Sequence, residues 1–423
     1  MLVDRLTINI MNNSIFDRIT HCRICKKAEI KTVLSLVEQP PANSLRDNLH
    51  DSLPLVPLSI SHCENCKTVQ LNETVKPEYL FRNYVWVTGT SSLAQTFNYH
   101  FCKEALRRLE DRPLFIVEIA SNDGTFLKPF KEKGHKVLGV DPAENIARIA
   151  NGNGIPTLPD FFSQRVAEST AHQHGLADCV FARNVIPHVD NVHDVVSGMV
   201  HCIKDDGIAI VEVHYSKNII DGLQYDSIYH EHLFYFSIQS LCFLLESHGL
   251  WAFDLIATPM NGGSLALYCS KVKQEKSAEF QKKLQEEKDC QLGLKECWLK
   301  FAQASLKHKE KLKKIIAEET EKGTNIIGYG ASARSSTLLN YCGINHSHLI
   351  CIADGNPLKQ GKYTAGTDIP ILSPESAFGK KPNTILLLSW NFKDEILLII
   401  KEKYHFRGKV ILPMPNDPEI INI

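Results

Sequence analysis

Two cysteine pairs, Cys22-x-x-Cys25 and Cys63-x-x-Cys66, have the spacing of metal-binding knuckles. A CxxC turn aims two thiolates at one ion, and two such turns complete a tetrahedron of sulfur. Four soft ligands leave no open position, so the spacing predicts a structural zinc and not a catalytic one. The run Tyr229-His230-Glu231-His232 is a second group. A phenol, two imidazoles and a carboxylate in sequence are expensive to bury without purpose. Imidazole takes up a proton near neutral pH, and tyrosine can donate to a developing oxyanion. Glu231 can orient an imidazole or bind a hydroxyl. The order His-Glu-His-Leu lacks the HExxH spacing of the zinc proteases.

A third group is Glu118-Ile-Ala120-Ser-Asn122-Asp123-Gly124, which follows an apolar run at 114–119. Small residues there let a ligand approach the backbone and the N-terminus of a following helix. Glu118 is placed to accept from an amino group of the ligand. Asp141 ends the next apolar run, 136–140, where an acid can bind both ribose hydroxyls. This pairing suits an adenosine carrier. Only Gly124 remains of a GxGxxG-like pattern, which favours S-adenosylmethionine (SAM) over a dinucleotide. A later run, 178–182, ends near Asn184, with His188 one turn further on. That strand end is where the donor's methionine part would meet the substrate.

These groups need a scaffold. Apolar runs alternate with amphipathic stretches over 114–270 and again over 323–423, the pattern of parallel sheets with helical crossovers. We therefore expect an α/β protein with a zinc-binding domain at 1–110. A SAM-binding Rossmann-like methyltransferase domain follows at 111–270. A helical connector and second Rossmann-like domain occupy 271–423. The repeated order of strand, small-residue loop and strand ending in an acid (Asp141, Asp354) suits either a duplication or a shared fold class. The 423 residues carry 47 Lys+Arg and 48 Asp+Glu, a net charge of −1. Such a chain has no global basic field, so a nucleic-acid partner is not expected. Apolar residues at 43% and charged residues at 22% exclude wholesale disorder. No apolar run approaches the ~18 residues of a membrane span, and the first residues lack a signal-peptide layout. Most of the 13 cysteines are scattered singly, which predicts a reducing, cytoplasmic setting.

Taken together, the motifs resemble the zinc-containing, SAM-dependent C-methyltransferases of nucleotide-linked deoxysugars, the NDP-hexose 3-C-methyltransferase type. The resemblance runs over nearly the whole length from Cys22. It rests on both knuckles, on 118–124, Tyr229-His-Glu-His232, Gly262-Gly-Ser264 and 328–334, and on 354–361 and Ser389-Trp-Asn391. It implies that His232 removes the proton at sugar C-3, with Tyr229 and Glu231 beside it. It also implies a tyrosine from the zinc domain near the sugar, at Tyr84 or at the position of Trp86. Ala120 stands where the family has glycine, and Asn261 where histidine precedes Gly-Gly-Ser. By the same resemblance, Asn261, Gly262, Ser264, Gly330, Ser332, Arg334, Asp354, Lys359 and Asn391 would contact the substrate. The loop ending at Arg334, at a helix N-terminus, would hold the diphosphate. Two rivals share these motifs: a sugar O-methyltransferase on the same scaffold, and a non-catalytic sugar-nucleotide or NAD-binding protein using Gly328-x-Gly330. The nucleotide, and whether the protein is a monomer or homodimer, stay open at this stage.

Overall fold

A computed structural model describes residues 15–81 and 87–423. Its N-terminal strands are β1 (Phe16–Arg18), β2 (Ile30–Gln39), β3 (Val56–Cys63), β4 (Val69–Leu71) and β5 (Glu73–Val75). Next come β6 (Phe115–Ile119), β7 (Lys136–Val140), β8 (Thr157–Leu158), β9 (Ala177–Arg183) and β10 (Ile203–His214). Then follow β11 (Phe234–Tyr235), β12 (Trp251–Thr258) and β13 (Ser264–Ser270). The last six are β14 (Ile326–Tyr329), β15 (Cys351–Ala353), β16 (Ile371–Leu372), β17 (Thr384–Leu387), β18 (Lys409–Leu412) and β19 (Glu419–Asn422).

The largest sheet has the order β12-β13-β10-β9-β6-β7-β8. Strands β6 to β10 pair in parallel, and β13 runs antiparallel between β10 and β12. Every residue of β6 is buried, as a parallel strand covered on both faces requires. Its side chains alternate between two cores. Ile116 packs with Phe97 and Phe101 of the helix Ser92–Leu106. Val117 and Ile119 pack with Val195 and Met199 of the helix Val192–Cys202. The crossovers bring the carboxyl ends of β6, β7, β9 and β10 to one rim, the edge at which open α/β sheets bind ligands. Glu118, Asp141, Asn184 and His214 lie along that rim.

Two helices, Ala278–Asp289 and Lys295–Glu321, lead to a second sheet of order β16-β15-β14-β17-β18-β19. It is parallel except for β19. The two Rossmann-like sheets share a local device. Asp141 accepts from the backbone N–H of Asn122 (2.8 Å) and Ala143 (2.9 Å). Asp354 accepts in the same way from Ala331 (2.7 Å) and Asn356 (2.8 Å). Each acid ends the second strand of its unit and ties down the loop after the first.

The zinc-binding region is joined to the rest by more than its chain connection. Its sheet has the order β11-β4-β3-β2, and β11 comes from the residues just after His232. Phe234 and Tyr235 pair antiparallel with Gln70 and Val69. The helix Ile238–Glu246 then starts in a capping box formed by Ser237 and Ser240. The catalytic candidates therefore sit on a short segment held between the small sheet and a capped helix.

Candidate active site

The four knuckle cysteines converge. Their sulfurs all lie within 4.8 Å of one another, with Cys22–Cys66 and Cys25–Cys63 each at 3.5 Å. Tetrahedral zinc with Zn–S bonds near 2.3 Å needs sulfurs about 3.8 Å apart, so the set fits the ion. Cys22, Cys63 and Cys66 are buried, as in a closed structural site. Neither His21 nor His62 is in the set. His62 instead faces the Gly293 carbonyl at 3.0 Å.

At the rim of the large sheet, Glu118 is 3% exposed and its Oε2 has no hydrogen-bond partner. Burial drives its carboxyl well above the ordinary value; Arg183 opposes this, while Asp123, Asp141 and Glu212 add to it. Arg183 itself pairs with Glu212 at 2.7 Å. Acids outnumber the guanidinium here, and a cation bound beside them, such as a sulfonium with its ammonium group, would favour the charged form of Glu118. The backbone prepares the same place. Ala120, Asn122 and Asn184 have φ of 50°, 51° and 53°, and Gly124 has φ 80°. A Cβ on Gly124 would lie 2.8 Å from Ile155. The orphaned acid, Asp141 and the small-residue loop fit SAM. The side chains of Asn122 and Asp123 are turned to another task. Asn122 Oδ1 accepts from the Thr88 N–H and Asp123 Oδ2 from that of Gly89, fastening residues 88–89 over the loop.

Past the carboxyl end of β9 lies the imidazole cluster. His232 is 6% exposed. Its Nδ1 lies 3.0 Å from the carbonyl oxygen of Ser227, which can only accept, so Nδ1 carries the proton. Nε2 therefore holds a lone pair, which faces the Tyr229 hydroxyl at 2.7 Å. The His188 ring packs edge-on to His232, with centroids 4.8 Å apart. Asn184 Nδ2 reaches His188 Nε2 at 3.5 Å. Burial first, then His188 and His214, hold His232 well below the usual imidazole value. Burial also holds His188 down at about 4. His230 points elsewhere: its Nε2 lies 3.2–3.3 Å from the Pro57 and Val56 carbonyls of β3. Glu231 is buried, and burial pushes its carboxyl up to about 7. Asn43 of the zinc-binding region donates to it, and the Lys359 charge opposes the shift. A crevice lined by His188, Glu231, Pro77 and Leu80 opens beside this cluster. Tyr84 and Trp86 lie outside the described residues.

Residues expected to meet the substrate fall into two sets. Lys359 gives one bond to the Ala331 carbonyl (2.8 Å) near Glu231. Gly330 has φ 95°, and a Cβ there would lie 1.8 Å from Ser389 Oγ. Asn391 is half-buried in the short turn Trp390–Phe392. Others serve the fold. Ser332 caps the helix Ala333–Cys342, Ser264 donates to the Met260 carbonyl, and Asp354 holds its loop. Asn261 and Gly262 form a turn with φ of 56° and 85°. Arg334 departs most from the sequence expectation. It makes a two-pronged ion pair with Asp226 (3.1 and 2.9 Å), donates to the Asn261 carbonyl and Gln224, and lies over the Trp390 ring. Asp226 is 1% exposed, and a buried carboxylate requires such a partner. Arg334 is consequently not a cation standing free at its helix N-terminus.

Sequence reasoning passed over His214, Asn43, Gln224 and Asp226 as site residues. His214 ends β10, 6% exposed with an unpartnered Nε2, and burial holds it down at about 3. Its place at a strand end was the available signal.

Three family models match in succession: "Putative zinc binding domain" over 22–81, "Methyltransferase domain" over 94–252, and "C-methyltransferase C-terminal domain" over 259–415. C-methyltransferase NovU of Streptomyces niveus is 34% identical over 411 residues, covering 96% of this chain and 97% of that protein. The chain belongs to the C-methyltransferase family. Among solved structures, a SAM-dependent methyltransferase from Thermotoga maritima is 19% identical, covering 43% of this chain and 92% of that one, with TM-score 0.33. Magnesium protoporphyrin IX methyltransferase of Synechocystis with bound SAM is 12% identical, covering 43% and 79%, with TM-score 0.33. As a C-methyltransferase the protein uses SAM, for which the acidic rim is suited, and its cysteine cluster is the zinc site of the family's N-terminal domain. Among the described residues, no helix of this C-methyltransferase is long and apolar enough to cross a membrane.

Proposed function

We propose that the protein methylates C-3 of a nucleotide-linked 4-keto-deoxysugar. The observation that carries this reading is His232, a buried imidazole held in one tautomer with its lone pair directed at Tyr229, on the rim that serves the donor. Carbon is a poor nucleophile unless a neighbouring carbonyl lets it become an enolate, and a 4-keto group supplies that carbonyl. SAM bound at the rim supplies an electrophilic methyl group. Tyr229 yields its bond to Nε2 as the sugar enters, and His232 removes the C-3 proton. Its low proton affinity keeps it unprotonated beforehand, and the negative charge developing on the sugar raises that affinity as the proton moves. Tyr229, or Tyr84, then donates to the enolate oxygen. Glu231, largely protonated below about pH 7, can donate to a sugar hydroxyl. His188 and Asn184 keep water from the methyl path. Lys359 and the loop at Gly330 hold the diphosphate. Holding both reactants in line supplies much of the rate. Zinc stays outside the reaction.

Labelled SAM with a panel of nucleotide 4-keto-deoxysugars tests this, with NMR placing the methyl. We expect it on C-3; a methyl on oxygen overturns the reading. The donor assignment predicts that Asp141→Ala weakens SAM binding by about 1–3 kcal/mol, the range for a lost charged hydrogen bond, as read by calorimetry. Unchanged affinity would remove Asp141 from the ribose.

Glu231 also predicts a pH dependence of stability. Its folded value, about 7, lies above the ordinary carboxylate range. The folded form therefore binds a proton that the unfolded form has released. Its favourable contribution is full below about pH 4.5 and is lost as pH rises to 7. The loss is on the order of 3 kcal/mol at most. Thermal melts of Glu231→Gln should gain on wild type between pH 5 and 8. Parallel curves would contradict this.

A further inference from the structure

We propose that the helix Ala333–Cys342 of the C-terminal sheet is the clamp that sets the tautomer of His232, with Arg334 and Thr337 as positioning residues. The inference rests on His232 being the base. It starts from three residues that precede the cluster. Asp226 is held by the Arg334 guanidinium through two bonds and by the Trp390 indole N–H at 2.8 Å. Ile228 has its carbonyl held by the Thr337 hydroxyl at 3.0 Å. Between them lies Ser227, whose carbonyl receives the Nδ1 proton of His232. Arg334 and Thr337 stand three residues apart, on one face of the helix. Thr337 is fully buried and the Arg334 side chain is 14% exposed, so both bonds are shielded from water.

The clamp holds the Asp226 side chain before, and the Ile228 backbone carbonyl after, the one carbonyl that decides which nitrogen of His232 carries the proton. A neutral imidazole has two tautomers of similar energy in water, and a fixed acceptor at Nδ1 selects the one that leaves Nε2 free. If the carbonyl moves, the ring can place its proton on Nε2, toward Tyr229, and loses its use as a base. The second Rossmann-like sheet thus acts on the chemistry through a different chain segment, whatever it binds. Arg334 is spent on this contact: its bidentate partner is a carboxylate of the same chain, and Trp390 covers one face of the guanidinium. Gly262, a residue of the Gly-Gly-Ser motif, supports the clamp, since a Cβ there would come 3.1 Å from Arg334.

The test uses full-length zinc-loaded protein and the variants Arg334→Ala, Arg334→Lys and Thr337→Val. Side-chain 15N shifts of His232, assigned by difference with His232→Gln, report the tautomer without substrate. We expect wild type to show a protonated Nδ1 and a bare Nε2. Arg334→Ala and Thr337→Val should show a mixture, with SAM affinity unchanged. In turnover, kcat should fall by roughly 10- to 100-fold, the scale of a small misplacement at a reacting centre. KM for the sugar nucleotide should stay within about threefold, and Arg334→Lys should recover part of kcat, as expected where a single-pronged cation replaces a fork. The proposal is overturned if His232 keeps a protonated Nδ1 in Arg334→Ala and Thr337→Val. It is equally overturned if Arg334→Ala raises KM with kcat intact, because Arg334 would then be reading the substrate. If wild type methylates none of the 4-keto sugars, the proposed reaction fails, and the 15N shifts still decide the clamp. Thr337→Val removes one hydroxyl at nearly constant volume and carries the test if Arg334→Ala does not fold.

Discussion

His232→Asn should lower kcat by about 10²–10⁴-fold, the usual cost of a missing general base, while SAM binds as before. The imidazole has its Nδ1 bound to a backbone carbonyl and its Nε2 turned to Tyr229. The Nδ1 contact therefore leaves Nε2 unprotonated, with its lone pair toward Tyr229. Asparagine can keep a donor toward Ser227 but offers no basic nitrogen. His230→Asn is the control, because that ring is bound to the Val56 and Pro57 carbonyls and faces the zinc-binding sheet. It should cost stability and leave most of kcat. A second readout separates base from scaffold. Wild type with a SAM analogue lacking the methyl should exchange the sugar C-3 proton with deuterated water, and the His232→Asn protein should not. Near-normal turnover in His232→Asn, with loss in His230→Asn, would reassign the base.

Removing zinc should unfold the small sheet and abolish turnover while SAM affinity changes far less. Purified protein should hold one zinc per chain, and Cys63→Ser or chelation should release it. Apparent binding energies of structural zinc reach about 10–16 kcal/mol in small zinc peptides, an amount comparable with the stability of a whole domain. The path from metal to active site is short. Cys63 ends β3, β3 pairs with β4, and β4 pairs with β11, which begins two residues after His232. A further tie runs from Arg23, between two zinc ligands, to Asp190 at 2.8 Å, close to His188. One face of the large sheet packs on a core that the zinc-binding region does not enter, so calorimetry on the zinc-free protein should still detect SAM. Full activity after verified zinc loss, or SAM affinity falling with the metal, would refute this separation.

Some of this could be read from local spacing. The CxxC pairs announce a metal because two thiolates three positions apart already form half a tetrahedron. The alternation of apolar runs with amphipathic stretches announces the parallel sheets, since a buried strand needs a continuous apolar run. Asp141 and Asp354 were legible as acids at strand ends. The motif at 229–232 stood out as a candidate site, because polar groups in that density have few structural uses. The division of labour inside that motif needed the fold. His230 and His232 are chemically identical, and only the neighbouring carbonyls, from β3 in one case and Ser227 in the other, tell them apart.

The largest gap concerns contacts between distant parts of the chain. Asn43 meets Glu231 across 188 positions, and Arg334 meets Asp226 across 108. Read locally, Arg334 was a cation at a helix N-terminus and an evident partner for phosphate. The folded chain offers it a buried carboxylate first, and burial makes that pairing obligatory. Likewise β11 reads as two aromatic-rich residues after the cluster, yet it completes the zinc-binding sheet. Sequence by itself determined the candidate groups of this protein (four thiolates, acids at strand ends, an imidazole cluster) because residue type and spacing set chemical capacity. Tertiary structure alone decided which imidazole nitrogen is left unprotonated and which charge is already paired, because those depend on burial and on neighbours brought in by the fold.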